Sequence, residues 1–560
     1  MSGSAALDDI GLRPPEEVMR LELMGATFQT RLSFLRIMLR RMGNENWRIT
    51  RPSFELDDDG YGTALYTVET PSHHYSLIAY SQFLDPVART DRVIAEAWDA
   101  AFVLYDGIPT SDDIARLATQ APCQEAGRYS ETELVLSRAN KSVRLFNHVT
   151  ERLAEGRQPN RSLLREIGYL MRTTAVYANG KFGLADRRSY SERPELAGPF
   201  QAEMLAVYLI RCFTFDLVEH VAERRNPSRY TLMERDLKRY LGIGNATGLG
   251  MAPFLVSHPV LIHNWFAARE TALARVRSVS SAEPERIALF QSVLARARRH
   301  VEEWQVEDEL QISRIEVLRS EIRQIGEFLS KLEGSVRPWD ALYCRASSDF
   351  SLEGQELLVS LLLEPYPELV DELTEGLSAD PLPFVDATMT VETVNQILFE
   401  FYDWASTYNF NDASTNRYVW YYSEEKLEPR RGEQRQEITD IQAMNVAIAR
   451  DVQGLQVALA EEDASLTIAA FLLKHPEFRY IVNRVQVGSC HPYAEIQDNL
   501  IGEACRPIDL LRAKLAYFGA SKFDPKSDLW TRITMYQGAP LADELVATDD
   551  WCFPSLKAEG

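Results

Sequence analysis

The chain has 560 residues, 45% of them hydrophobic and 25% charged; this is ordinary globular composition, with apolar mass for a sizeable core and length for several domains. The net charge is −22, and residues 351–560 hold 16 basic against 35 acidic residues. That balance argues against binding nucleic acid or anionic membrane surfaces, both of which need an excess of Lys and Arg. The six cysteines stand far apart with no CxxC pair, the first residues carry no basic-then-apolar leader, and no uncharged run reads as a span. A soluble cytoplasmic protein in a reducing compartment is the expectation.

Residues 16–42 read as helical, with Phe34, Ile37, Met38 and Met42 at helical spacing. Residues 47–56 and 61–68 alternate polar with apolar around the turn signal DDDGYG at 57–62, and another strand follows at 75–82 after the turn TPSHH, so a small antiparallel meander is predicted. A helix over Arg92–Tyr105 would cover it, making residues 1–125 an α+β unit. Helices are predicted next over Thr132–Arg152, Arg161–Tyr177, Phe200–Glu223, Leu232–Tyr240 and 259–275; the third is apolar along its length and hence central. Within 283–333, Ile315, Leu318, Ile322, Ile325, Leu329 and Leu332 step as an a/d seam, suited either to an intrachain hairpin or to a homodimer contact.

These helices make residues 126–345 a helical core, and a boundary falls near 335–350. Residues 346–560 read as an acidic domain with helices at 353–364, 391–407, 439–460, 464–474 and 507–518, an aromatic loop or strand at 408–422, a charged stretch at 424–437 and a strand at 530–535. The expected fold class is mainly α within α+β: a multi-helix body, a small N-terminal meander and a mostly helical C-terminal half.

The stretch Leu241–Ala268 contains no Asp, Glu, Lys or Arg, and opens with Gly242, Gly244, Gly248 and Gly250. It reads as a tight turn feeding a buried segment, the wall of a site. Only half of the G-x-G-x-x-G pattern is present, because Thr247 holds the place of the third glycine. The glycines therefore serve either close backbone approach or a nest of N–H groups in which Asn245 and Thr247 meet a carboxylate or phosphate. Arg172, Asn179 and Lys181 gather at one predicted helix end, and Tyr177 precedes Lys181 by four residues, with Gly180 interrupting the helix between them. A lysine desolvated there can act as a base or an anion ligand. Arg138, Lys141 and Ser142 share one face of a predicted helix, where buried cations need an internal carboxylate or an anionic ligand.

Asp216, Glu219 and His220 stand at i, i+3 and i+4 in an apolar helix. They are candidate ligands for a divalent metal or iron, or members of a core ion pair. His258 and His263 complete such a cluster or, with Tyr177 and Lys181, move protons. The functional expectation is a soluble cytoplasmic enzyme of bacterial type acting on a small anionic metabolite, metal-assisted in its sharper form, with no nucleic-acid or membrane partner and a candidate homodimer. The alternative is a non-catalytic scaffold that docks through the seam at 315–332 and the acidic half.

Overall fold

The computed structural model describes residues 10–19, 28–88, 97–123, 130–175, 193–248, 258–329, 335–377, 384–409, 418–423, 428–433, 448–495, 516–527, 530–545 and 550–556. The alternating stretches near the start form β1 (Arg48–Leu56), β2 (Gly62–Glu69) and β3 (His74–Ser81), an antiparallel meander where alternation places it. The sheet continues through β4 (Ala100–Asp106), β5 (Glu133–Lys141), β6 (Tyr169–Thr173) and β7 (Gly242–Gly248). A separate ribbon pairs β8 (Tyr418–Ser423) with β9 (Glu428–Glu433). Far along the chain, β10 (Lys522–Ser527) and β11 (Trp530–Met535) return to the large sheet, whose nine strands run β1-β2-β3-β4-β5-β6-β7-β11-β10. Neighbours are antiparallel except for β6 and β7, which run parallel.

Three predicted helices are overturned wholly or in part. Where Arg92–Tyr105 was expected to be helical, the described residues hold β4, whose seven residues AAFVLYD are almost all buried. The Thr132–Arg152 stretch is β5 followed by a helix that starts only at Val143. Within Arg161–Tyr177, the helix stops at Gly168, which adopts the left-handed conformation, and β6 follows at once. A strand covered on both faces lacks the period-two signal, so its apolar run imitates a buried helix. The glycine-rich turn expected at Leu241 is instead strand β7.

Helices named below are α1 (Phe34–Asn44), α2 (Ser111–Gln120), α3 (Val143–Ala154), α4 (Arg161–Ile167), α5 (Gln201–Arg225), α6 (Pro259–Arg277), α7 (Pro284–Glu303), α8 (Glu309–Leu329), α9 (Pro338–Asp349), α10 (Leu352–Leu363) and α11 (Arg479–Cys490). α5 is the central apolar helix the sequence predicts, buried along most of its length. It lies across β3 to β7, with α1 and α3 beside it. Arg211, fully buried on α5, donates to the carbonyls of Lys238, Arg239, Leu241, Ala539 and Pro540, tying the approach to β7 to the residues after β11. The opposite sheet face carries a small apolar cluster, including Ile78, Val103 and Leu136, under α2.

α6 packs on α9 and α10, and α7 on α8. The seam residues Ile315, Leu318, Ile322, Ile325 and Leu329 are all buried within the chain, while Leu332 lies outside the described residues. The whole is an α+β fold. Among the described residues, no helix is long and apolar enough to cross a membrane.

Candidate anion-binding site

A cleft of about 450 Å³ opens on the α2 side of the sheet, at its β6-β7-β11-β10 end. Register explains which side chains reach it. Arg172 pairs with Gly244, Gly244 with Thr534, and Thr534 with Lys522, so these four form one row across four strands. The next row sets Ala246, Arg532 and Asp524 side by side. Directly opposed residues share a sheet face, and alternate residues take the other one. Thus Ile243, Ile533 and Met535 sink into the core beneath α5, while Arg172, Arg532, Thr534 and Lys522 line the cleft.

An irregularity between Tyr169 and Arg172 sets three steps of β6 against two of β7 and brings both side chains to the cleft face. The Tyr169 ring then lies directly on Gly244: a Cβ there would stand 2.5 Å from the ring. Gly242, whose Cβ would collide with the Met535 carbonyl oxygen, and Gly244 are thereby explained as close approach, the first of the two readings.

The lining is cationic in an acidic protein. Lys141, Arg144, Arg172, Lys522, Lys526 and Arg532 stand against Glu166, Glu307 and Asp524. Most of the cations are engaged. Arg144 pairs with Glu166 at 2.7 Å. Lys526 bridges Asp524 at 2.6 Å and Glu307 at 2.8 Å, and its ammonium holds the Glu307 carboxyl below the usual range. The Lys141 ammonium sits 5.0 Å from the Phe146 ring and 5.4 Å from that of Tyr61. Lys522 donates to the carbonyl of Arg165 at 2.9 Å and to that of Glu166, and burial pushes its pKa down to about 8. Arg172 differs: half-buried at the cleft wall, its guanidinium has no hydrogen-bond or ion-pair partner among the described residues.

The other predicted site residues are dispersed. Arg138 is on the same sheet face as Arg172, but its guanidinium stands 5.8 Å from the Trp98 ring and outside the cleft lining. Because β5 is a strand, Arg138, Lys141 and Ser142 do not share a helix face; Ser142 stands at the start of α3 without a side-chain capping bond and lines the cleft beside Lys141. Asn245 is buried on the α5 side, donating to the Thr173 carbonyl at 2.9 Å, and so cannot reach the cleft. Thr247 pairs with Thr531 along the backbone, and its side chain lies outside the described residues, as do Tyr177, Asn179, Lys181 and Gly250.

Asp216, Glu219 and His220 diverge to three separate partner sets. Asp216 accepts from Tyr66 at 2.6 Å and Arg51 at 2.8 Å, Glu219 pairs with Lys238 at 2.7 Å, and the His220 ring meets the Asp57 carbonyl at 2.8 Å. Among the described residues, no three His, Cys, Asp or Glu side chains are placed to share a metal ion. His258 precedes the first turn of α6. His263 accepts from the Tyr493 N–H at 3.2 Å with its ring 4.8 Å from that of His491; burial, then the neighbouring imidazole, lower its pKa to about 4. Neither lines the cleft.

Sequence reasoning found three lining residues, Lys141, Ser142 and Arg172, and missed the wall supplied by β10 and β11. Its signal was present: Lys522, Asp524 and Lys526 alternate around Phe523, and Arg532 and Thr534 alternate with Ile533 and Met535. Comparison of the chain with protein families, with curated proteins and with solved structures finds no match to any of them.

Proposed function

We propose that the chain is a cytoplasmic enzyme acting on a small anionic metabolite held in this cleft, with Arg172 as the primary contact. The observation that carries the reading is the lone guanidinium. A half-buried arginine without a counter-charge loses hydration and gains nothing in exchange, unless a ligand supplies the charge. A carboxylate or phosphate accepts two parallel N–H bonds from that planar group. Arg532 on the facing wall adds positive potential in a recess partly shielded from water, where a charge counts for more.

The scaffold alternative has less to stand on, since the described part of the seam is buried within the chain and offers no docking face. Titration calorimetry with inorganic phosphate and with small mono- and dicarboxylates tests the proposal. A charge-assisted bidentate contact is worth about 1.5–3 kcal/mol, so Arg172→Gln should weaken binding by roughly ten- to a hundredfold. Arg172→Lys should recover part of it, and neither variant should shift the melting temperature appreciably. Equal affinity in the wild type and Arg172→Gln would refute the role of Arg172.

A further inference from the structure

Lys522, on the cleft wall, is held by two backbone carbonyls. Its side chain rises from β10, in the same cross-strand row as Arg172 and Thr534, and its Nζ reaches the last turn of α4, donating to the carbonyls of Arg165 and Glu166. A tetrahedral nitrogen bonded to Cε and donating twice has one position left. No further partner among the described residues takes it. A neutral amine in this setting keeps both N–H bonds and has its lone pair at that fourth position, so the two carbonyls orient the nitrogen for attack as well as anchoring it.

The surroundings favour the neutral form. The residue is 8% exposed, and this burial is what lowers its pKa; Lys526 and Arg532 oppose its charge, but Asp524 and Glu166 offset them. Burial of this kind is one means by which lysine amines become nucleophilic near neutral pH.

We propose that Lys522 forms an imine with an anionic carbonyl compound, an aldehyde or ketone that also bears a carboxylate or phosphate. This rests on the anion-binding reading above and names the substrate class for the same cleft. Nζ adds to the carbonyl carbon and forms the C–N bond. The carbonyl oxygen leaves as water, carrying two of the three protons of the lysine ammonium, and the third remains on the protonated imine. No oxidant, reductant or second substrate is consumed. The protonated imine keeps one N–H, and hence one of the two carbonyl contacts.

Trapping of the full chain with cyanoborohydride, read by intact mass and peptide mapping, tests the assignment. Glyoxylate and glycolaldehyde phosphate serve as anionic probes and glycolaldehyde as the neutral one, each with and without inorganic phosphate. The expected result is a reduced adduct on Lys522, formed at least tenfold faster with one of the anionic probes, slowed by phosphate and by Arg172→Gln, and absent from Lys522→Arg. The probe that labels faster assigns the carboxylate or the phosphate class. Phosphate binding that depends on Arg172, with no adduct on Lys522, would overturn the imine and leave the anion site standing. Equal labelling by neutral and anionic probes, untouched by phosphate, would overturn both. Labelling spread over many lysines would overturn the imine assignment even if Lys522 were among them.

Discussion

Glu356 is fully buried between two arginines. It accepts from Arg13 at 2.8 Å and from Arg269, while Glu270 takes a bidentate pair from Arg13 at 2.7 Å and a further bond from Arg269 at 3.2 Å. Two cations and two anions, almost without solvent, are tolerable only as a complete set. Glu356→Ala should therefore cost about 3–5 kcal/mol, the penalty for a buried pair that loses one partner, measured by urea denaturation; a loss under about 1 kcal/mol, the worth of an exposed pair, would mean that water already reaches the cluster. Gly244 makes a different residue-scale demand. Gly244→Ala drives a methyl group into the Tyr169 ring, and overpacking of this kind costs about 1–3 kcal/mol. Because that ring lines the cleft beside Arg172, the same substitution should weaken phosphate binding, which distinguishes it from a purely structural lesion elsewhere.

Strands β10 and β11 show at the element scale how position along a strand divides labour. Ile533 faces the core beneath α5 and Arg532 the cleft, one residue apart. Ile533→Ala should lose about 2–5 kcal/mol of stability, whereas Arg532→Gln should leave the denaturation midpoint nearly unchanged and reduce anion affinity. A reversal of these two outcomes would put Arg532 in the core and Ile533 in the cleft.

The same geometry explains what the sequence could disclose. β1 and β2 were legible because the DDDGYG turn at 57–62 marks the hairpin between them and β1 stays largely exposed, whereas β3, buried at seven of its eight residues, was legible from the turn before it. β4 and β5 were not, since AAFVLYD and ELVLSRANK are covered on both faces and carry no period of two. α5 was legible because a helix that is apolar all round can only be central. Within the site, Arg172 stood out as a cation among apolar neighbours. Lys522 and Arg532 did not, because their significance arises from pairing with a strand hundreds of residues earlier, and no local pattern encodes that pairing.

For the molecule as a whole, pH enters through its packed imidazoles. The folded chain weakens proton binding at His263, whose pKa falls from 6.5 to about 4. Between those values the unfolded chain binds the proton more readily, so stability is present above pH 6.5 and is lost as pH falls toward 4. His491, the ring beside it, adds to this depression. His263→Gln should therefore show a smaller drop in melting temperature between pH 7 and pH 4.5 than the wild type. Calorimetric scans at the two pH values provide the check, and identical drops would assign acid sensitivity to other groups.

The return of β10 and β11 to the side of β7 also has a consequence in time. A ribosome releases β1 to β7 and the long helices well before it releases the two strands that complete the sheet. Until then, β7 presents an unpaired edge, and the Leu241, Ala539 and Pro540 carbonyls cannot all close around Arg211. The nascent chain thus has to protect an open strand through much of its synthesis, and the cationic wall facing Arg172 arrives late, so that the recess in front of Arg172 is incomplete until β11 has emerged.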